Sequence, residues 1–371
     1  MSEAAADRTF LQGAHALAEA AVRAGCRFYC GYPMTPSTEI LEYMARRLPE
    51  VDGVFLNAES EIEAIHMVWG AAGAGTRAMT ASTTNGIALM QEALAEMALA
   101  RIPAVVVNMG RGQGDYFQST RGGGHGSHPP IVLSPSSAQE AVDAGYRAFA
   151  MSDRWRHPVL VLGDFLLSHT AEAVSLAPPP EAGEPRPPLD WITDGARGRP
   201  PRLLTPLGMR SSAAPDPERG PAVDTARPML EAVERMERIA AREVRFEAEG
   251  LEDAALVVAA FGTLGRFARH AARKARREGL RIGLLRPYTL VPFPSAAFRH
   301  VAERGIPIAV WENNAGQMVD DVRLAVAGRA PVHFVGGISM DPAGFGIGPA
   351  VDADDLLRRL RDVYPREGAG R

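Results

Sequence analysis

Two short segments hold most of the chemistry this sequence can offer. The first is Gly31-Tyr32-Pro33-Met34-Thr35-Pro36-Ser37-Thr38-Glu39-Ile40, and the second is Asn57-Ala58-Glu59-Ser60-Glu61-Ile62-Glu63-Ala64-Ile65. The first reads as a strand end, a turn stiffened by Pro33 and Pro36, and a helix start with Thr35 or Ser37 as cap. The second puts an acid at the mouth of another helix, followed by small residues from Gly70 to Gly75. A rigid turn beside a helix-mouth carboxyl is what the pyrimidine half of a thiamine diphosphate site requires. There the carboxyl holds the aminopyrimidine so that its imino tautomer takes the thiazolium proton. Glu61 is the candidate acid there, Glu59 is the alternative two residues before it, and Glu63 reads as solvated. The structural alternative for Glu61 is an acid in the first helical turn, favoured by the helix dipole.

Other residues are candidates by their place. Arg111 follows the apolar run Ala104-Val105-Val106-Val107-Asn108, which reads as a strand buried on both faces. Ends of parallel strands are where α/β folds bind ligands, and a guanidinium fork matches a carboxylate. The alternative is a surface arginine on a Gly-rich loop. Thr35 either donates its hydroxyl to a substrate or caps the following helix. His125 lies in Arg121-Gly122-Gly123-Gly124-His125-Gly126. The glycines permit close backbone approach, so His125 either bonds substrate or moves a proton, or else is an exposed turn residue. Asn314, Gly316 and Gln317, and the pair Gly262-Thr263, follow strands and either contact a ligand or partner or shape an interface. Gly163-Asp164-Phe165 lacks the downstream Asn of a diphosphate–magnesium loop and reads as structural, so no metal ligand is assigned.

The elements that position these residues alternate. Helices are expected over Leu11–Ala24, Glu61–Ala72, Ile87–Leu99 and Ser137–Met151, and strands over Arg27–Gly31, Val54–Leu56, Ala78–Ala81, Ala104–Asn108 and Val159–Leu162. Thr83–Gly86 reads as a turn. Alternation of this kind means a doubly wound parallel sheet. Prolines crowd residues 168–228, which reads as a connection, with Trp191 and Asp194–Arg199 packing against something. Residues 229–247 read as a charged, exposed helix. A second α/β domain begins near Leu251, with strands at Leu256–Gly262, Ile282–Leu285 and Ile308–Trp311. The expected division is 1–170, a linker with helix over 171–250, and 251–371.

Composition narrows the classes. The chain has 371 residues, is 46% hydrophobic and carries a formal charge of −4, so neither nucleic acid nor an anionic membrane is expected as a partner. No apolar run approaches the roughly 20 residues of a membrane span. Met1–Arg8 is polar rather than signal-like, and a cytoplasmic home is expected. The two cysteines, Cys26 and Cys30, are too few for an iron–sulfur cluster and read as buried small hydrophobes.

The two opening segments resemble the alpha subunits of 2-oxoacid:ferredoxin oxidoreductases, where the first usually reads GYPITP. Asp115-Tyr116-Phe117-Gln118 and Gly122-Gly123-Gly124-His125-Gly126 are similar to the branched-chain (3-methyl-2-oxobutanoate) group of that family. So are Leu285-Arg286-Pro287 with Pro292-Phe293-Pro294, and Asn314-Ala315-Gly316-Gln317-Met318-Val319. The likeness covers roughly residues 8–360 and thins in the middle. It implies a thiamine diphosphate pyrimidine-binding domain followed by a transketolase C-terminal-like domain, both doubly wound α/β. It implies Glu61 as the activating acid with Pro33 and Gly86 beside the cofactor, and Thr35, Arg111 and His125 toward the 2-oxoacid. It implies half a site. A beta subunit brings the magnesium, the diphosphate and an iron–sulfur cluster, with gamma or delta subunits, ferredoxin as acceptor and coenzyme A as co-substrate. A branched-chain 2-oxoacid is the first expectation, with 2-oxoglutarate, pyruvate or an aryl pyruvate open. A non-redox thiamine decarboxylase or carboligase, or a non-catalytic assembly subunit, also stays open. Two departures fall beside the site: the family's Gly/Pro-rich loop after Arg111 is nearly absent, and Asn85 stands where Pro is usual.

Overall fold

A computed structural model describes residues 8–122, 124–180, 185–195, 226–339 and 352–365. The first part of the chain runs β1 (Arg8–Gln12), α1 (Gly13–Arg23), β2 (Phe28–Gly31), α2 (Thr38–Arg47), β3 (Val54–Asn57), α3 (Glu61–Gly73) and β4 (Ala78–Ser82). It continues with α4 (Thr84–Leu89), α5 (Gln91–Leu99), β5 (Val105–Gly110), α6 (Tyr116–Thr120), β6 (Ile131–Leu133), α7 (Ala138–Trp155), β7 (Val159–Asp164), α8 (Phe165–His169) and β8 (Ala171–Ser175). The second part runs α9 (Ala226–Glu243), β9 (Phe246–Glu249), β10 (Leu256–Ala259), α10 (Gly262–Arg277), β11 (Ile282–Pro287), β12 (Thr289–Val291) and α11 (Ser295–Glu303). It closes with β13 (Ile308–Val310), α12 (Met318–Val326), β14 (Val332–Phe334) and α13 (Ala353–Val363).

The larger sheet has the order β12-β6-β7-β5-β4-β2-β3. Six of its strands are parallel and only β12 runs against them. β4, β5 and β7 are buried along their whole length, as apolar strands covered by helices on both faces must be. Parallel pairing has one consequence for chemistry. The carboxyl ends of β2, β3, β4, β5 and β7 all open on the same edge, and the residues after each strand meet there. The second sheet, β14-β13-β10-β11-β9, is parallel except for β9.

Several local expectations change. The strand Thr289–Val291 lies in the segment assigned to the second domain, yet it pairs with β6 in the first sheet. β8 forms inside the Pro-rich stretch and pairs with β1, an N-terminal strand that pattern alone did not show. Thr83–Gly86 is not a turn: α4 begins at Thr84. The helix α9 is exposed along one face only. Ala232, Arg235, Ile239 and Glu243 are buried at helical spacing. Arg235 donates to Ala98 O at 2.6 Å, and Glu243 Oε1 accepts from Arg154 and from Trp155 Nε1. Charge misled the eye because these charges face partners. Trp191 is buried under Arg156, and Thr193 donates to Gly73 O, so this part of the linker straps the end of α3. Residues 196–225, including Ala196–Arg199 and most of the linker prolines, lie outside the described residues.

The two sheets are joined by ion pairs and hydrogen bonds as well as by β12. Arg286, 3% exposed, takes both Glu140 oxygens of α7 and also Glu247 of β9. Asp164 caps α8 through Leu167 N and accepts from Thr263 Oγ1 at the start of α10. Asp164 thus links α8 to α10, and burial raises its carboxyl above the ordinary range. Removing the Arg286 cation should cost about 2 kcal/mol, because half-buried Glu140 would lose its cation while Glu247 keeps only Arg269. Arg286→Met is expected to lower the urea midpoint of unfolding accordingly, and an unchanged midpoint would show the joint to be idle.

Candidate active site

Glu61 is the first residue of α3 and only 3% exposed. Ser60 caps the helix by accepting from Glu63 N, which frees Glu61 to turn inward. Glu61 Oε1 accepts from Ser82 Oγ at 3.1 Å, at the carboxyl end of β4. Gly86, in α4, packs against the same carboxylate, and a Cβ there would overlap Ser82 Oγ and Glu61 Oε1. Only glycine leaves this floor open. Glu59 and Glu63 are exposed. Of the three acids in the segment, Glu61 is the one that the fold encloses.

Thr35 and Pro33 lie on the turn after β2 and are exposed. The helix α2 starts at Thr38, beyond Pro36, and Ser37 Oγ donates to Met34 O rather than capping. The turn is braced from α8: Ser168 Oγ donates to Pro36 O at 2.9 Å, and His169 pairs with Glu39 at 3.0 Å. Arg111 follows β5 and is exposed. Close behind it, Asp115 is buried and takes bonds from Thr84 Oγ1 at 2.9 Å and Asn108 Nδ2 at 3.2 Å. Burial raises the Asp115 carboxyl, while Thr84, Asn108 and the Arg111 charge oppose the rise. Thr84 neighbours the Gly86 floor, so this cluster ties the Arg111 loop to the Glu61 pocket.

The structure therefore brings Glu61, Gly86, Thr35, Pro33 and Arg111 to one edge of the larger sheet. His125 is placed differently. It is exposed on the loop after α6, its Nε2 lies 2.6 Å from Glu96 Oε1 on α5, and its ring meets His128 edge-on. Gly123 of its glycine run lies outside the described residues. Two clefts lie elsewhere: one of about 430 Å³ is bounded by Glu140, Arg245 and Tyr288, and one of about 340 Å³ by Trp311, Asn313 and Arg359. Neither is lined by Glu61.

Comparisons with known proteins bear on this geometry. Residues 19–190 match the family described as "Pyruvate flavodoxin/ferredoxin oxidoreductase, thiamine diP-bdg", and residues 254–342 match "Pyruvate:ferredoxin oxidoreductase core domain II". The chain is 39% identical over 363 residues to ketoisovalerate oxidoreductase subunit VorB of Methanothermobacter thermautotrophicus, covering 95% of this chain and 97% of that one. The chain belongs to the 2-oxoacid:ferredoxin oxidoreductases. It falls in their branched-chain group. It is also 36% identical over 358 residues to the 2-oxoglutarate synthase subunit KorA of the same organism, covering 88% of this chain and 93% of that one. A solved 2-oxoglutarate:ferredoxin oxidoreductase from Magnetococcus marinus shares the fold, with a TM-score of 0.80 and 24% identity. The match covers 96% of this chain and 65% of that one.

In an oxidoreductase subunit of this family the pocket can be tested against thiamine diphosphate by its own donor set. A buried carboxylate packed on a glycine, at the edge where the strand ends meet, offers the hydrogen-bonding oxygen that an aminopyrimidine ring takes. The residues that sequence reasoning passed over are polar ones at strand ends: Ser82, Thr84, Asn108 and Gln113. Their signal was present in position, since each ends or follows an apolar strand, but their types are common in turns. Asn314 and Gln317 face the first sheet rather than solvent: Asn314 Nδ2 donates to Gln113 O and Gln317 Nε2 to Gly114 O, each at 2.9 Å. The cysteines are buried, and burial pushes the thiols up to about 12 for Cys26 and about 11 for Cys30.

Two outcomes are expected. Gly86→Ala should cost about 1–3 kcal/mol by overpacking against Glu61 and Ser82, and should strip thiamine diphosphate from the purified complex. Thermal unfolding and cofactor content read both, and normal values for each would refute the floor. The His169–Glu39 pair gives a pH signature. The bond to Glu39 raises the His169 imidazole, and His169 in turn holds Glu39 low. Folding stability from the raised histidine is complete below its ordinary value near 6.5 and is lost as pH climbs through the raised one. The lowered acid loses its share only as pH falls below the ordinary carboxylate range. The loss of melting temperature in His169→Gln should therefore be larger at pH 6 than at pH 8.5; equal losses would remove the ion pair from the brace.

Proposed function

We propose that this chain is the alpha subunit of a complex that oxidatively decarboxylates a branched-chain 2-oxoacid to the acyl-CoA and passes two electrons to ferredoxin. The observation that carries this is the buried Glu61 carboxylate set against Gly86 and Ser82 at the shared carboxyl edge. Glu61 would hold thiamine diphosphate by its pyrimidine ring. The bound cofactor supplies the carbon nucleophile and the electron sink that loss of carbon dioxide needs. Glu61 keeps a proton shared with the ring, Arg111 offers its fork to the acid's carboxylate, and Thr35 offers a hydroxyl to the oxo group.

The complementary half is assigned to a beta subunit carrying magnesium, the diphosphate site and an iron–sulfur cluster. Coenzyme A is the co-substrate, and gamma or delta subunits complete the assembly. Two features support a covering partner. Tyr32, Leu56, Ile62, Met67 and Leu89, on the elements around Glu61, are exposed large apolar side chains, each 37% to 52% exposed. The chain's two cysteines are fewer than the ligands a cluster typically needs. The division into 1–170, 171–250 and 251–371 belongs to this proposal, with Thr289–Val291 given to the first unit. So does a cytoplasmic location; among the described residues no helix is long and apolar enough to cross a membrane.

Branched-chain specificity rests on the ketoisovalerate relatives. The 2-oxoglutarate synthase relatives favour 2-oxoglutarate as the second reading. The test is anaerobic co-expression with the neighbouring subunits and an assay of viologen reduction, dependent on coenzyme A, across a panel of 2-oxoacids. Turnover should be highest with 3-methyl-2-oxobutanoate and fall about 10²–10⁴-fold in Glu61→Gln. Arg111→Gln should raise KM for the acid roughly 10–100-fold, the worth of a lost charged hydrogen bond. Turnover untouched by Glu61→Gln would leave an assembly role, and cofactor-dependent decarboxylation without viologen reduction would leave non-redox thiamine chemistry.

A further inference from the structure

The loop that follows Arg111 is shaped by the second sheet. Within the first part of the chain, Asp115 takes bonds from Thr84 and Asn108. Side chains beyond β13 hold the residues on either side of it. Gln317 is bidentate, donating from Nε2 to Gly114 O at 2.9 Å and accepting from Phe117 N at 2.8 Å. Asn314 Nδ2 donates to Gln113 O at 2.9 Å. Gln113 reaches back, donating to Phe261 O at 2.9 Å and accepting from Asn313 N at 3.1 Å. Behind these lies Glu312, fully buried. Its carboxylate accepts from Asn314 Nδ2 and from the backbone of Gln317, Met318 and Val319 at 2.8–3.1 Å. A buried carboxylate with that many donors is a fixed post, and a post of this kind sets both amides that grip the loop.

The grip lies next to the guanidinium, since Arg111 is separated from Gln113 by Gly112 alone. A Cβ on Gly110, just before Arg111, would lie 2.9 Å from Gly112 O and 3.1 Å from Asp115 Oδ2, so the backbone there is already folded tightly onto the held loop. The far end is tied as well, with Tyr116 OH donating to Asp321 at 2.7 Å and Arg121 pairing with it at 2.9 Å.

We infer that Gln317, held by Glu312 and seconded by Asn314, is a positioning residue for the 2-oxoacid: it sets the place of Arg111 from the second sheet and so fixes affinity for the substrate carboxylate. The inference rests on the proposed role of Arg111. A positioning role and a purely structural role differ in kinetics. A misplaced arginine weakens ground-state capture of the acid, whereas a damaged fold loses cofactor, turnover and stability together.

The experiment uses the assembled complex with Gln317→Leu, Arg111→Gln and the double variant, measuring KM and kcat for the preferred 2-oxoacid together with bound thiamine diphosphate. Gln317→Leu should raise KM about tenfold, lower kcat by less than about threefold, and leave cofactor content unchanged, consistent with two lost hydrogen bonds. In the double variant KM should stay near that of Arg111→Gln, because an absent arginine cannot be misplaced. Gln317→Glu, which keeps the acceptor for Phe117 N, should fall between wild type and Gln317→Leu, and it serves as the test if the leucine variant does not assemble. Multiplying effects in the double variant, or KM unmoved in Gln317→Leu while Arg111→Gln raises it, would overturn the inference and leave the role of Arg111 standing. KM unmoved in Arg111→Gln would bring down the role of Arg111 and this inference with it.

Discussion

The Glu61 carboxylate is the constraint that the rest of the edge accommodates. Burying an acid costs far more than a side-chain contact returns unless hydrogen bonds and open space are built around it. Ser82 supplies the bond and Gly86 supplies the space. Each requirement reaches further out. Ser82 ends a strand buried along its whole length, so the hydroxyl cannot drift. Gly86 lies in a helix that starts directly after that strand, and Thr84 of that helix is spoken for by Asp115. The carboxylate is therefore held by a short chain of groups, each fixed by a parallel strand.

The second sheet is more than a neighbouring body. It contributes β12 to the first sheet and Arg286 to the acids of α7 and β9. Its loop after β13 reads the main chain beside Arg111. The first tie is backbone pairing, the second is a buried charge network, and the third is amide recognition of main chain. Only the third touches the edge where the candidate residues gather. Such a division of labour lets the joint be strong at a distance from the site and specific beside it.

Much of this was legible in residue types and spacing. The alternation of apolar strands with Ala-rich helices announced the parallel sheet, because strands covered on both faces have no polar side to show. Glu61 stood out over Glu59 and Glu63 as the acid in register with the helix mouth, and the fold buries it alone among the three. Arg111 was marked by the apolar run before it. Other features escaped because their partners are distant in the chain. Arg235 and Glu243 looked like solvated charges until Ala98 O and the Arg154–Trp155 pair met them. β1 and β8 are separated in the chain by six of the seven strands of the larger sheet, and only pairing reveals either. His125 was open between substrate and an exposed turn, and its ring meets Glu96, a residue no local pattern links to it.

Sequence by itself determined the family and the doubly wound architecture, since these follow from local periodicity and from motifs that each lie within a few residues. Tertiary structure alone decided which polar groups are satisfied and by whom. Gln317 carries no local mark of gripping Gly114 and Phe117, and nothing local marks Asp164 as the partner of Thr263. The physical reason is range. Periodicity and capping act over one or two turns of chain, whereas a hydrogen bond requires two atoms to meet within about 3 Å. Only the folded chain brings together groups that lie far apart in sequence.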